Sequence, residues 1–306
     1  MRRLVLAAAS LALACVPLSH ALTLAPGVGV SLPPVNVQSR AKVVSRHDVA
    51  AGIVELGFSD GSSYRGTVRD GVPHGHGEYR SPAFRYDGDF DAGHMEGLGL
   101  CEWKQGDRYE GSFHADEADG RGRFTFANGD AYEGDVKRGR MDGRGRYQSA
   151  GGDVYEGTFV RGLPDGMGSL RFANGDRYEG EMHAGMLHGY GRYFARDGQR
   201  LEGAFVRGRA RGLGILRYAN GDVYQGEIDD GLPAGQGIFR FAGGSRYEGQ
   251  VRAGVPIGSG ILYLGDGTRF EGEFEAGAAR ASGHWVRADG SRIRARLENG
   301  AVTLVD

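Results

Sequence analysis

Lysine is almost missing from this chain. Only Lys42, Lys104 and Lys137 contribute to its 37 basic residues, and the rest are arginine. Arginine's planar, always-charged fork suits fixed pairing with carboxylates better than loose solvation. Cysteine is scarce too: Cys15 falls in an N-terminal leader, and Cys101 alone cannot form an internal disulfide. Nine prolines are too few for a collagen or a proline-rich linker polymer. There is no excess of either charge, with 37 basic against 39 acidic residues. A chain without a basic surplus is poorly equipped to neutralise phosphates, which argues against nucleic acid as a partner. Beyond the leader, no apolar run approaches the roughly 18 residues that a membrane-spanning helix needs.

Glycine is what the chain has in excess: 56 of 306 residues, against a usual share of about 7%. Hydrophobic residues at 40% and aromatics at 10% are too many for a disordered chain, so the glycine belongs to folded structure. Glycine weakens helix interiors by about 1 kcal/mol each, which points to β structure with glycine-dependent turns.

The first residues read as an export leader. Arg2 and Arg3 precede the apolar run Leu4 to Val16, and Ser19-His20-Ala21 has the small-x-small form of a cleavage site. The expectation is a signal peptide over 1–21, a mature chain from Leu22, and a periplasmic or secreted protein. Cleavage leaves 35 basic and 39 acidic residues, a net −4. Ala12-Leu13-Ala14-Cys15 is a weak match to a lipoprotein box, which makes a lipid anchor on Cys15 the minor alternative.

Self-comparison gives a period of 23. An aromatic-x-Gly triplet recurs at Tyr64, Tyr86, Tyr109 (Gly111), Tyr132 (Gly134), Tyr155 (Gly157), Tyr178 (Gly180), Leu201, Tyr224 (Gly226), Tyr247 (Gly249) and Phe270. Every step is 23 residues except the first, which is 22. With the aromatic numbered 1, glycine recurs at positions 3, 8, 12, 14 and 21, and these five account for 47 of the 56 glycines. Units commonly close with Ala-Asn-Gly-Asp, as at 127–130, 173–176 and 219–222.

Tyr155, Gly157, Phe159, Gly162, Gly166 and Gly168 together resemble the MORN (membrane occupation and recognition nexus) repeat, Tyr-x-Gly-x-Phe-x-x-Gly-x-x-x-Gly-x-Gly. The resemblance runs over about 64–292. Asp116, Leu201 and Ala281 depart from it locally, the last suggesting a worn terminal repeat. It implies structural, protein-binding and self-associating roles, or phospholipid association.

Positions 1, 3, 5 and 12, 14, 16, 18 alternate as strands require, so each unit is expected to be one β-hairpin with a loop over positions 6–11. Between units, a three-residue loop with Gly175 as a left-handed bulge would set Leu170 opposite Tyr178 and Gly168 opposite Gly180. That register lays the aromatic rings on bare glycine. The expected fold is all-β: an elongated, twisted, single-layer antiparallel sheet of about ten consecutive hairpins, solenoid-like. The expected organisation is a leader over 1–21, a linker and cap over 22–63, the array over 64–292 and capping strands over 293–306.

No residue cluster points to catalysis, a metal or a cofactor. His74 and His76 form a His-x-His without a third converging ligand. Asp87, Asp89 and Asp91 share a strand face but lack the glycine-bearing turn of a calcium loop. Cys101 reads as a small core residue. The segments outside the array are too short to hold an enzyme domain.

One asymmetry stands out on the face opposite the aromatics. Position 2 is Glu in seven units, and Arg recurs at positions 17 and 23, which suits exposed ion pairs. Position 15 is Arg123, Arg146 and Arg192 in earlier units but Ile215, Ile238 and Ile261 later, with Phe194 and Tyr263 at position 17. These five apolar residues are the candidate interaction surface. Either a terminal segment covers them or a partner does, and a homodimer through the C-terminal repeats is one such partner. The favoured reading is a non-catalytic protein-binding scaffold, with weak membrane-lipid association as the alternative.

Overall fold

The computed structural model describes residues 3–5, 42–50, 52–275, 280–298 and 300–305. Apart from Arg3–Val5, a short strand against Ala301–Thr303, the expected leader lies outside the described residues, as do residues 22–41 of the expected 22–63 linker and cap. The chain divides into two compact units, Thr23–Ala173 and Asn174–Asp306, the second also including Met1–Leu22. Every described regular element is a β-strand.

The 23–173 unit runs from the strand Val43–Ala50 to the strand Leu163–Arg171, and each strand pairs antiparallel with its neighbours in sequence. Its core comes from rows that cross the strands. Tyr147 faces Tyr155, and Tyr155 faces Leu170 on its other side. One step along, Gly145 faces Gly157, which faces Gly168. This is the register that lays rings on glycine. A Cβ on Gly168 would come within 2.6 Å of Tyr155 Cζ, so only a hydrogen fits beneath the ring. The ring is fully buried, and its hydroxyl donates to the Thr158 carbonyl at 3.2 Å. Phe159 then packs edge-on against Tyr155 at 5.2 Å and against Tyr132 at 5.1 Å. Such edge-to-face pairs add about 0.5–1.5 kcal/mol beyond area burial.

The loop expected over positions 6–11 is not there. Strands run to position 6, Val160, and resume at position 9, Leu163. Only Arg161 and Gly162 form the turn, with φ of 50° and 90°, as a two-residue type I′ hairpin requires. Proline at position 10 misled the reading. Pro164 lies in the strand, fully in the core opposite Phe159. Gly166, expected as ordinary strand, has φ 100° and absorbs a register shift between Gly157 and Phe159. The worn repeat supplies the control. Ala281 replaces that glycine, and the strand Arg280–Val286 pairs with Arg269–Phe274 without a shift.

The 174–306 unit repeats the same rows from Arg177–His183 to Ala301–Leu304. Leu216 faces Tyr224 and Gly214 faces Gly226. The turns between hairpins are the expected three-residue loops, with Gly221 at φ 92° and Gly175 at φ 96°. Where Leu201 replaces the tyrosine, Gly214 has no ring above it, and Ile228 Cδ1 fills the space.

The Asn-Gly-Asp turns carry a further layer. Asp130 is buried and accepts hydrogen bonds from the Tyr147 hydroxyl, the Ala150 N–H and Asn128. Asp176 and Asp222 accept from Arg196 and Ala242 N–H in the same way. Each turn is thereby tied to the next turn along the sheet.

Candidate protein-interaction face

On the reverse of the 23–173 unit, positions 2 and 15 form one row that is charged from Glu110 to Glu156, with Leu100 and Ser169 beyond its ends. In it Glu110 faces Arg123, Arg123 faces Glu133, Glu133 faces Arg146 and Arg146 faces Glu156. Arg146 Nε reaches Glu156 at 3.0 Å. In the 174–306 unit the same row runs Glu202, Ile215, Gln225, Ile238, Glu248, Ile261, Glu271. Isoleucine holds position 15 in the three units after Arg192, and His284 holds it in the last.

All five candidate residues lie on this face, half-buried, but they do not form one patch. Ile215 and Ile238 line a trough of about 650 Å³ whose floor is glycine backbone. Phe194 shares a second recess of about 190 Å³ with Ile215, Arg192, Arg200 and Arg217. Ile261 and Tyr263 line neither. Tyr263 is instead covered by the Arg246 guanidinium at 4.3 Å, and Phe194 by Arg177 at 4.4 Å. The sequence reading missed position 13. Tyr190 and Leu213 line the trough and are 56% and 74% exposed. Extending the alternation of positions 15 and 17 back by two would have found them.

The expected ion pairs at positions 23 and 2 are formed along single strands: Arg108–Glu110 at 3.0 Å, Arg177–Glu179 at 2.9 Å and Arg246–Glu248 at 3.1 Å. At the head of the trough, Glu202 accepts from the Tyr190 hydroxyl at 2.7 Å and pairs with Arg192 at 3.4 Å. The Tyr190 hydrogen bond first, and the Arg192 charge after it, hold the Glu202 carboxyl below its ordinary range.

The polar residues weighed for chemistry have ordinary partners. Asp91 pairs with His74, and Asp87 and Asp89 with His76. His94 lies in the strand His94–Trp103 and bonds Asp116, the residue that replaces a turn glycine at φ 69°. His188 lies in the strand Met186–Phe194. Cys101 is fully buried between Tyr86 and Tyr109, and burial pushes its thiol far up. Among the described residues no three His, Cys, Asp or Glu side chains are grouped to hold a metal. No described helix is long and apolar enough to cross a membrane.

The MORN repeat family model matches nine consecutive segments: 64–83, 86–108, 109–131, 132–154, 155–177, 178–200, 202–223, 224–246 and 247–269. The chain belongs to the MORN repeat family. The match resumes at 202 rather than 201, where leucine stands for the aromatic, and it ends before the tenth unit at Phe270. No curated protein sequence matches the chain. Matching solved structures number 56 chains. One is a TCP domain of SAS-4 (dCPAP) from Drosophila melanogaster, solved in complex with a proline-rich motif of Ana2 (dSTIL). It is 17% identical with a TM-score of 0.33, over 50% of this chain and 84% of that one.

Proposed function

We propose that this MORN chain is a non-catalytic scaffold that binds another protein through the reverse face of its 174–306 unit. The observation that carries the reading is the exchange of arginine for isoleucine along one row. It turns a charge-paired surface into an apolar trough while the core beneath stays the same. Exposed apolar area of this kind is the mark of an interaction site. In the other unit the same row carries Glu110, Arg123, Glu133, Arg146 and Glu156, with Leu100 and Ser169 at its two ends. The protein acts outside the cytoplasm on this reading, in the periplasm or beyond the cell, on the strength of the leader pattern over 1–21. Recovery of a chain beginning at Leu22 from the envelope or medium tests that placement.

Ile238→Arg tests the binding face. Ile238 is only half-buried between Gln225 and Glu248, so the variant is expected to fold with unchanged circular dichroism and to lose its partner. Global unfolding would instead mean that the isoleucine row is internal core. Strong co-sedimentation with anionic vesicles, unaffected by Ile238→Arg, would favour the membrane-associating reading.

A further inference from the structure

The trough does not stand alone. It shares Glu202 and Ile215 with the smaller recess that Arg192, Arg200 and Arg217 line. Arg200 and Arg217 are directly opposite each other on neighbouring strands. Like charges in that position destabilise a sheet. The 23–173 unit contains the same juxtaposition at Arg80 and Arg85, and there carboxylates neutralise it. Glu78 pairs with both arginines, and Asp87 and Glu102 reach Arg85 at 3.0 and 3.2 Å. Among the described residues neither Arg200 nor Arg217 has a carboxylate within ion-pair distance. The reason can be read in the repeat. Position 2, glutamate in seven units, is Gln225 beside Arg217, and Glu202 is already engaged by Tyr190 and Arg192.

We infer that this face takes an acidic–apolar polypeptide segment, with a carboxylate on Arg200 and Arg217 and aliphatic side chains in the trough of Leu213, Ile215 and Ile238. The inference rests on the protein-binding reading above and adds the chemistry of the partner. Charge complementarity selects the head: the recess has three guanidiniums against one carboxylate that is already paired. Dimensions suit an extended chain. From the strand of Tyr190 to that of Glu248 is five strand spacings, about 24 Å, which an extended segment of about seven residues spans. The exposed amides of Gln225 and Gln236 on the trough walls can bond a peptide backbone. Glu248 borders the trough away from the arginine recess, and Glu202 is already paired, which suits a segment that is acidic only at its head and apolar along the trough.

The test uses the full chain and three fluorescein-labelled heptapeptides: Asp-Asp-Val-Leu-Val-Leu-Val, and its analogues beginning Asn-Asn and Lys-Lys. Fluorescence anisotropy is expected to show the aspartate peptide binding at least tenfold more tightly than the asparagine one. In the double variant Arg200→Glu, Arg217→Glu the preference should swap to the lysine peptide, an outcome that only a folded face can give. Ile238→Arg should remove binding of all three. Equal binding of aspartate and asparagine peptides, lost with Ile238→Arg, would overturn the acidic partner while leaving the docking face standing. No binding of any peptide overturns the inference. If phosphatidylglycerol vesicles then sediment the protein only when Arg200 and Arg217 are intact, the protein-binding reading falls with it. If light scattering instead shows a dimer that Ile238→Arg dissociates, the occupant is a second copy and the acidic-peptide inference is overturned.

Discussion

Arg123 and Arg146 in the 23–173 unit occupy the same row position as Ile215, Ile238 and Ile261 in the 174–306 unit. The strands beneath them are set in the same register. Gly134 faces Gly145 as Gly226 faces Gly237, and Tyr132 and Tyr224 are equally buried above them. A MORN hairpin therefore separates two tasks by face. The aromatic–glycine side fixes the fold, and the reverse side is free to vary because a strand exposes alternate residues. In one unit that freedom is used for glutamate–arginine pairing. In the other it produces a trough and, at its head, the facing arginines Arg200 and Arg217 with no carboxylate in ion-pair contact among the described residues. The difference between the units lies in surface chemistry, and substitutions on the two faces should have different kinds of effect.

The largest effects belong to the shared face, and they should be equal in the two units. Gly168→Ala and Gly237→Ala each drive a Cβ to about 2.5 Å from the Cζ of the overlying tyrosine, Tyr155 or Tyr224. Overpacking of this severity is expected to cost at least about 3 kcal/mol, seen as a lowered urea midpoint. Gly214→Ala should be milder but not free, because the added methyl meets the mobile end of Ile228 at 2.7 Å instead of a ring, and the Glu202 carbonyl oxygen at 2.9 Å. A much larger loss in one unit than the other would break the claim of a common core.

Next come the turn aspartates, where individual repeats differ by one hydroxyl. Asp130 and Asp176 have Tyr147 and Tyr193 as donors, while the equivalent residue beside Asp222 is Phe239, which has none. Asp130→Ala should cost about 2–3 kcal/mol and Asp222→Ala about 1 kcal/mol less. Burial pushes the Asp130 carboxyl up, but the Tyr147, Ala150 and Asn128 hydrogen bonds outweigh it and lower it overall. A lowered carboxyl contributes stability that is fully present above the unfolded value near 3.9 and is lost as pH falls through the folded one. Below about pH 4 the wild-type chain should therefore lose stability more steeply than Asp130→Ala. Parallel acid limbs would show that the Asp130 bonds contribute nothing to folding.

How much of this was legible follows the same division of faces. The ring-on-glycine register could be reached from Tyr155, Gly157 and Gly168 because only one pairing collects rings and bare backbone on one side. The position 10 core residues were not legible. Pro164 looks like loop punctuation, yet a proline fits where the bulge at Gly166 leaves the neighbouring ladder irregular. The candidate face was legible as an apolar change at position 15. Its shape was not, since Tyr263 and Phe194 are capped by arginines that periodicity alone does not place over them. Tyr190 and Leu213 lie at position 13 of the same strands, just before the positions 15 and 17 that were compared, so their exposure went unseen.

Ile238→Arg moves the comparison from stability to binding. It restores the residue type of Arg123 and Arg146 and places it between Gln225 and Glu248. Stability should change by no more than about 0.5 kcal/mol, as for most surface substitutions. Association through the trough should be lost. A destabilisation of several kcal/mol would mean that the two reverse faces are not equivalent surfaces.

The smallest effect is expected from the converse change, and it decides whether the isoleucines replaced anything of structural worth. Arg146→Ala removes a 3.0 Å contact with Glu156 between side chains that are both about half exposed. Water screens such a pair and holding two long side chains costs entropy, so the loss should be below about 1 kcal/mol. It should shrink further in about 1 M salt, where screening acts within about 3 Å. A double-mutant cycle with Glu156→Ala isolates the pair. A coupling clearly above 1 kcal/mol would show that Glu110, Arg123, Glu133, Arg146 and Glu156 act as a cooperative network. The isoleucine row would then have given up a stabilising element, and the 174–306 unit should melt first. A coupling near zero means that arginine was exchanged for isoleucine along this row at no cost to the fold, leaving binding as the property that the exchange altered.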